Sequence, residues 1–200
     1  MRTNFVKKAA KDQGNCKKCG KEIKKGDPYK WIQKYRGSKQ IACEACQFSD
    51  ADRTSSDKLA TVYEARDTAI SEVEGWDGEE LDDLKSIMDE FVSEVNDVAG
   101  EYRDSADSIR NSFSESSTAD ECEEKADNLE DWANNCEDPG FDEFDEEDAK
   151  KTATETVNKT EGLADDEKEE LIEEQVAEIK SQWVDEQRQL ALDALNECPM

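Results

Sequence analysis

Histidine is absent from the 200 residues. Its absence removes the usual acid–base side chain, every Ser–His or Cys–His nucleophile pair, and every metal site that draws on imidazole. Long apolar runs are missing too. No stretch approaches the ~18 consecutive apolar residues of a membrane span, and "MRTNFVKKAAKDQG" lacks the apolar core of a secretory signal. Apolar residues make up 34% of the chain against 40% charged, which argues against one large core. Such a composition suits long helices that each bury a narrow stripe, or partial disorder. Neither a phosphate-cradling glycine loop nor a nucleophile elbow occurs. The expected class is therefore a non-enzymatic protein without membrane contact.

What the chain has in excess is acid, with a formal net charge of -27. The excess is uneven. Residues 1–46 hold 13 Lys or Arg against 4 Asp or Glu, a net of +9, whereas residues 47–200 hold 13 against 49, a net of -36. A basic head thus precedes a strongly acidic body.

Cysteine is the other informative residue. There are 7, an odd number that cannot all pair within one chain, and a reducing compartment is expected. Four form Cys16-x-x-Cys19 and Cys43-x-x-Cys46, with 23 residues between the pairs. One pair alone would leave a redox role open. Two at this spacing point to a structural site for one zinc ion, with Cys16, Cys19, Cys43 and Cys46 as ligands and Gly20 assisting the tight turn. Four thiolates fill a tetrahedral metal and leave no position for a catalytic water. Between the pairs, "PYKWIQKY" alternates, which puts Tyr29, Trp31, Gln33 and Tyr35 on one side and lysines mostly on the other. With "RGSK" as a turn and "QIAC" as a return strand, this reads as a β-hairpin carried between two cysteine knuckles. Cys122 and Cys136 lie two heptads apart on one apolar stripe, as small buried hydrophobes. Cys198 sits near a fraying end, and none of these three has basic neighbours that would activate a thiolate.

The remainder is helical in pattern. The expected domains are 1–50, a basic metal-binding hairpin module, and 51–200, an acidic body with helices at roughly 57–74, 80–112, 118–136, 147–160 and 165–197. "FSDADRTSSD" is a polar connector with Thr54, Ser55 and Ser56 as candidate caps. The first helix carries Leu59, Val62, Ala69, Val73 and Trp76, with Arg66 interrupting. The second has the clearest period: Leu81, Leu84, Met88, Phe91, Val95, Val98, Tyr102, Ser105 and Ile109 alternate three- and four-residue steps, as a coiled-coil seam requires. Gly100 lies within it, at a cost of ~1 kcal/mol against alanine. The third places Cys122, Ala126, Leu129, Trp132 and Cys136 on one face. A weaker helix ends near Gly162. The last presents Ile172, Val176, Ile179, Trp183, Leu190 and Ala194. The fold class is mainly α: an antiparallel, coiled-coil-like helical hairpin or bundle with a small N-terminal β-hairpin four-cysteine module of zinc-ribbon or treble-clef type.

Three accounts fit the basic head. Lys17, Lys18, Lys30, Lys34, Arg36 and Lys39 around Trp31 are placed to grip phosphates while the aromatics stack bases. Alternatively the aromatics pack a miniature core and the lysines keep it soluble, or the head docks on acidic helices of its own chain or of a second copy. The body, at -36, is barred from nucleic acid. It attracts a basic surface instead, as an imitation of a phosphate row, unless its carboxylates are only a solvated face. "DEFDEEDAK" lacks the glycine and ligand order of an EF-hand loop. The helical stripes also allow a homo-oligomer.

"RTNFVKKAAKDQGNCKKCGKEIKKGDPYKWIQKYRGSKQIACEAC" with "SDADRTSSDKLATVYEARD" resembles the opening of uncharacterised acidic proteins encoded by tailed bacteriophages, which join a basic zinc-knuckle-like N-terminus to an acidic helical body. "DECEEKADNLEDWANNCEDPGFDEFDEEDA" is similar to their body segment. The resemblance implies a phage-encoded protein in the host cytoplasm. Its expected partner is a host nuclease, defence or DNA-processing protein with a basic surface; a part in the virion is the alternative. It transfers no catalytic residues.

Overall fold

A computed structural model of the chain describes residues 1–33, 37–159 and 164–199. The chain divides by packing into two compact units, Met1–Asp67 and Thr68–Met200, against the expected boundary after residue 50. It is mainly helical, with six helices and small antiparallel sheets among the described residues.

The first unit is built on β1 (Asn4–Val6), β2 (Gly14–Asn15), β3 (Glu22–Ile23), β4 (Tyr29–Gln33) and β5 (Lys39–Cys43). The expected hairpin is present: β4 pairs antiparallel with β5, Tyr29 opposite Cys43 and Gln33 opposite Lys39. β1 adds to the other edge of β4, and β2 with β3 forms a separate ribbon. Alternation along β4 works differently from the expectation. Tyr29 and Cys43 are buried on one face of the sheet, but Ile32 and Ala42, with 0% exposure, lie on the opposite face assigned to lysines. Both faces are covered, because Ala9, Ile23 and Phe48 join the same cluster. Gln33 is exposed at the strand end. Lys34, Tyr35 and Arg36 lie outside the described residues, as does Gly162.

A four-residue helix, α1 (Asp50–Arg53), interrupts the expected connector. Ser49 and Asp52 cap it reciprocally: Asp52 Oδ2 accepts from the Ser49 backbone N–H at 2.8 Å, and Ser49 Oγ from that of Asp52 at 3.4 Å. Of the candidate caps before α2 (Asp57–Gly75), Ser56 serves, its Oγ accepting from the Leu59 N–H at 3.3 Å. Along α2, Val62, Ala65, Ala69 and Val73 are buried, and the division between units falls within this helix. Arg66, the interruption in its stripe, reaches Asp50 at 2.8 Å.

The second unit holds α3 (Leu81–Ser112), α4 (Ser117–Glu137), α5 (Glu146–Val157) and α6 (Asp165–Asn196). α3 buries Leu84, Met88, Phe91, Val95, Val98 and Tyr102 of the expected seam, together with Ala99 and Ala106, while Leu81, Ser105 and Ile109 at its two ends are only half-buried. Against it α4 sets Ala126, Leu129, Trp132 and Cys136, and the Phe91 and Trp132 rings meet edge-on at 5.0 Å between centroids. Across the same helix pair, Arg103 bonds Glu130 and Asp127, and Arg110 bonds Glu123 and Asp120. α6 departs from expectation in its second half. Its buried residues there are Val184, Gln187, Ala191, Ala194 and Leu195, while Leu190 is exposed. The helix changes neighbour along its length, from α5 to α4. Near the end of α6, Trp132 Nε1 of α4 donates to the Ala194 carbonyl at 2.9 Å. No helix among the described residues is long and apolar enough to cross a membrane.

Candidate metal centre

Two turns bring the four N-terminal cysteines together. After β2 the chain closes a tight knuckle: the Gly20 N–H donates to the Cys16 carbonyl at 2.9 Å, and that of Cys16 to the Lys21 carbonyl at 2.8 Å. Gly20 has a φ of 73°, a left-handed conformation a side chain would oppose. The second knuckle follows β5, with the Cys46 N–H on the Cys43 carbonyl at 3.2 Å. A bond from the Lys17 N–H to the Ile41 carbonyl at 2.9 Å ties the first knuckle to β5. The strand that ends in Cys43 is thereby fixed against the turn that carries Cys16 and Cys19.

The four sulfurs lie within 4.8 Å of one another. Cys19 Sγ and Cys43 Sγ are 3.7 Å apart, and all four thiols are free. A disulfide needs ~2.05 Å. A tetrahedron with metal–sulfur bonds of ~2.3 Å has edges of ~3.8 Å. The cluster therefore has the dimensions of a metal-thiolate site rather than a disulfide pair. Its electrostatics agree. Burial opposes ionisation of Cys16, but the backbone N–H groups of Cys43, Cys19 and Lys18 outweigh it and pull the thiol down to about 6. Cys43 is also lowered: burial again raises it, and bonding from the Cys46 backbone and from neighbouring thiols prevails. Cys46, bonded by Cys43 and Cys19, is pushed up to about 12. Four anions at this spacing repel strongly, so complete ionisation calls for a cation among them. Cys16 and Cys43 are buried and Cys46 half-buried, with Cys19 open to solvent.

The basic residues around this cluster are mostly engaged. Lys18 Nζ meets Asp52 Oδ2 at 2.5 Å, and Lys30 Nζ donates to the Cys46 carbonyl at 3.0 Å. Lys39 Nζ stands 4.4 Å from the Trp31 ring centroid and donates to the Tyr29 hydroxyl at 3.3 Å. Trp31 is half-buried, and Lys17 is exposed. Lys34 and Arg36 lie outside the described residues. The sequence pattern missed the bracing of the second knuckle by Lys30. A lysine on the strand opposite Cys43 was its only signal.

The other cysteines divide. Cys136 is fully buried, its Sγ 3.5 Å from the Ala194 carbonyl, and burial first, then Glu197 and Cys198, push the thiol up to about 12. It is the inert hydrophobe expected. Cys122 is only half-buried on the same stripe. No family model, curated protein or solved structure matches the chain.

Proposed function

We propose that this is a non-enzymatic binding protein whose acidic helical unit docks on the basic, nucleic-acid-binding surface of a host protein in an infected bacterium. Its N-terminal unit is then a scaffold stapled by one Zn²⁺ on Cys16, Cys19, Cys43 and Cys46, of zinc-ribbon or treble-clef type. The observation that carries the reading is a coincidence of charge with packing. Met1–Asp67 holds 16 Lys or Arg against 9 acids, a net of +7, and Thr68–Met200 holds 10 against 44, a net of -34. Carboxylates on rigid helices offer a fixed negative field, which speeds encounter with a basic surface and repels nucleic acid.

The alternative, nucleic-acid binding by the basic unit, has less support. Lys18, Lys30 and Lys39 have intramolecular partners, and Lys39 covers the Trp31 ring on which a base would stack. A divalent ion on four thiolates leaves a local charge of -2, which the neighbouring lysines offset.

The test is capture by the immobilised intact protein from a nuclease-treated bacterial lysate at low salt, with partners identified by mass. Basic nucleic-acid-binding proteins should be retained, released by salt, and displaced by duplex DNA. Retention of none, or retention indifferent to salt, overturns the proposal.

A further inference from the structure

The acidic unit has a groove with an apolar floor. α5 packs on α6 through small residues, Ala149 and Ala153, and spans only 12 residues against 32 in α6. Much of the first half of α6 is left incompletely covered, with Ile172, Val176, Ile179 and Trp183 half-buried. A cleft of about 660 Å³ opens there over Ile172, Val176 and Ala177, and Phe144 forms part of its wall. Phe144 also lines two further clefts, of about 420 Å³ and 320 Å³, and Trp183, which does not border the first, lines both of these. These two rings lie 5.5 Å apart. Trp183 is held in place by an edge contact with Trp76 at 6.0 Å and by its indole N–H on the Asp142 carbonyl at 2.9 Å.

The walls are acidic. Glu146, Glu169 and Glu173 border the 660 Å³ cleft together with Lys150 and Lys180, and Glu79, Glu80, Asp82 and Glu143 outnumber Lys85 and Lys180 around the 420 Å³ one. Residues 165–186 carry ten acids and two lysines. Lys150, at the rim, is bound to Glu146 at 2.6 Å. An apolar floor, an aromatic pair where the clefts meet and a surplus of carboxylates over lysines favour a cationic occupant with an apolar face.

We infer that the groove centred on Phe144 and Trp183 receives a cationic amphipathic helix of the partner. This deepens the reading above and rests on it. Apolar side chains at i, i+3 or i+4, and i+7 would seat on Ile172, Val176 and Trp183, while flanking Lys and Arg meet the wall carboxylates. A guanidinium over the Trp183 or Phe144 face gains a cation–π contact, and an aromatic in a desolvated centre is the usual energetic anchor of such an interface. Basic helices that nucleic-acid-binding proteins lay in a major groove have this chemistry. A second copy presenting its acidic unit is opposed by the -34 that each such unit carries.

The test uses the intact protein and two synthetic peptides of identical Leu, Lys and Arg content. One is patterned as an amphipathic helix and the other is scrambled, and binding is read by calorimetry. The patterned peptide should bind about tenfold tighter or more. Trp183→Ala should remove that advantage. So should Ala177→Arg, which places bulk and positive charge at an exposed position in the cleft and leaves the circular dichroism unchanged. Equal, salt-sensitive binding of both peptides overturns the groove and leaves the acidic-surface reading standing. Binding of neither overturns both. A dimer that Ala177→Arg dissociates makes a second copy the occupant and overturns the helix assignment.

Discussion

Replacing Gly78 by alanine probes the turn that carries Glu79, Glu80 and Asp82 to the rim of this groove. Gly78 has a φ of 80°, and a Cβ built there would lie 2.2 Å from Val184 Cγ2 and 2.9 Å from Cγ1. Carbon atoms in contact sit ~3.5–4.0 Å apart, so turn and helix must separate by more than ~1 Å. Left-handed backbone costs an alanine ~1–2 kcal/mol, and forcing a methyl into a filled space costs ~1–3 kcal/mol. Together these predict a loss of about 2–5 kcal/mol for Gly78→Ala. Gly100→Ala is the matched control. It lies exposed in α3, and an added Cβ meets no heavy atom within 4 Å. Relief of glycine's backbone entropy should stabilise that variant by about 0.5–1 kcal/mol. Urea unfolding followed by helical circular dichroism measures both, with the change read from the midpoint at constant slope. The reasoning fails if Gly78→Ala stays within ~1 kcal/mol of the parent, or if both variants shift in one direction. Because the acidic turn must move, Gly78→Ala should also weaken binding of the patterned peptide.

Three further outcomes are expected. Stripping metal with a strong chelator should collapse the amide dispersion of Met1–Asp67 while helical dichroism largely survives, and one equivalent of zinc should restore it. Zinc modules draw ~10–16 kcal/mol from the metal at neutral pH, so an unchanged spectrum from metal-free protein would refute the site. Trp132→Ala should cost about 3–5 kcal/mol by cavity formation alone, and a double-mutant cycle with Phe91 should show coupling of about 0.5–1.5 kcal/mol; additive losses would contradict the edge-on contact. Arg103 holds the Glu130 carboxyl below its ordinary value by hydrogen bonding. A lowered native value adds stability above the unfolded value of ~4.3, lost as pH falls through the native one. Arg103→Gln should therefore melt below the parent near neutrality and alongside it in acid, and a gap that persists in acid would refute the pair.

Legibility in the sequence followed how many neighbours an element has. α3 turns one face to its partner, so strict three- and four-residue steps marked Leu84 to Tyr102 without ambiguity. The four N-terminal cysteines were equally plain, because a two-residue spacer lets both thiols of a knuckle reach one point. β4 was misjudged because a sheet covered on both faces has no polar side, and Ile32 occupies the face opposite Tyr29. Leu190 was misplaced because α6 exchanges α5 for α4, which rotates the buried stripe onto Ala191 and Leu195. β1 has three residues and exists through pairing with a strand some 25 residues later, and no local pattern encodes that. The Phe144–Trp183 pair was invisible for the same reason, as its members are 39 positions apart.

The two kinds of charge stand in different relations to the fold. In the N-terminal unit, Lys18, Lys30 and Lys39 are engaged with a carboxylate, a carbonyl and aromatic rings, so part of the basic excess serves the four-cysteine unit itself. The acidic unit cannot be explained in this way. With 10 Lys or Arg for 44 acids, its carboxylates outnumber its cations more than fourfold. Solubility needs a net charge of only about 2–8 on a small domain, and anything beyond that destabilises the compact state through self-repulsion. Raising salt shortens the screening length from ~10 Å at 0.1 M to ~3 Å at 1 M, so the melting temperature of the helical unit should climb with ionic strength. A basic occupant of the acidic groove would relieve the same repulsion locally, and its stabilising effect should diminish as salt takes over that role. Stabilisation by the patterned peptide that is undiminished in high salt would mean that the surplus carboxylates take no part in recognition.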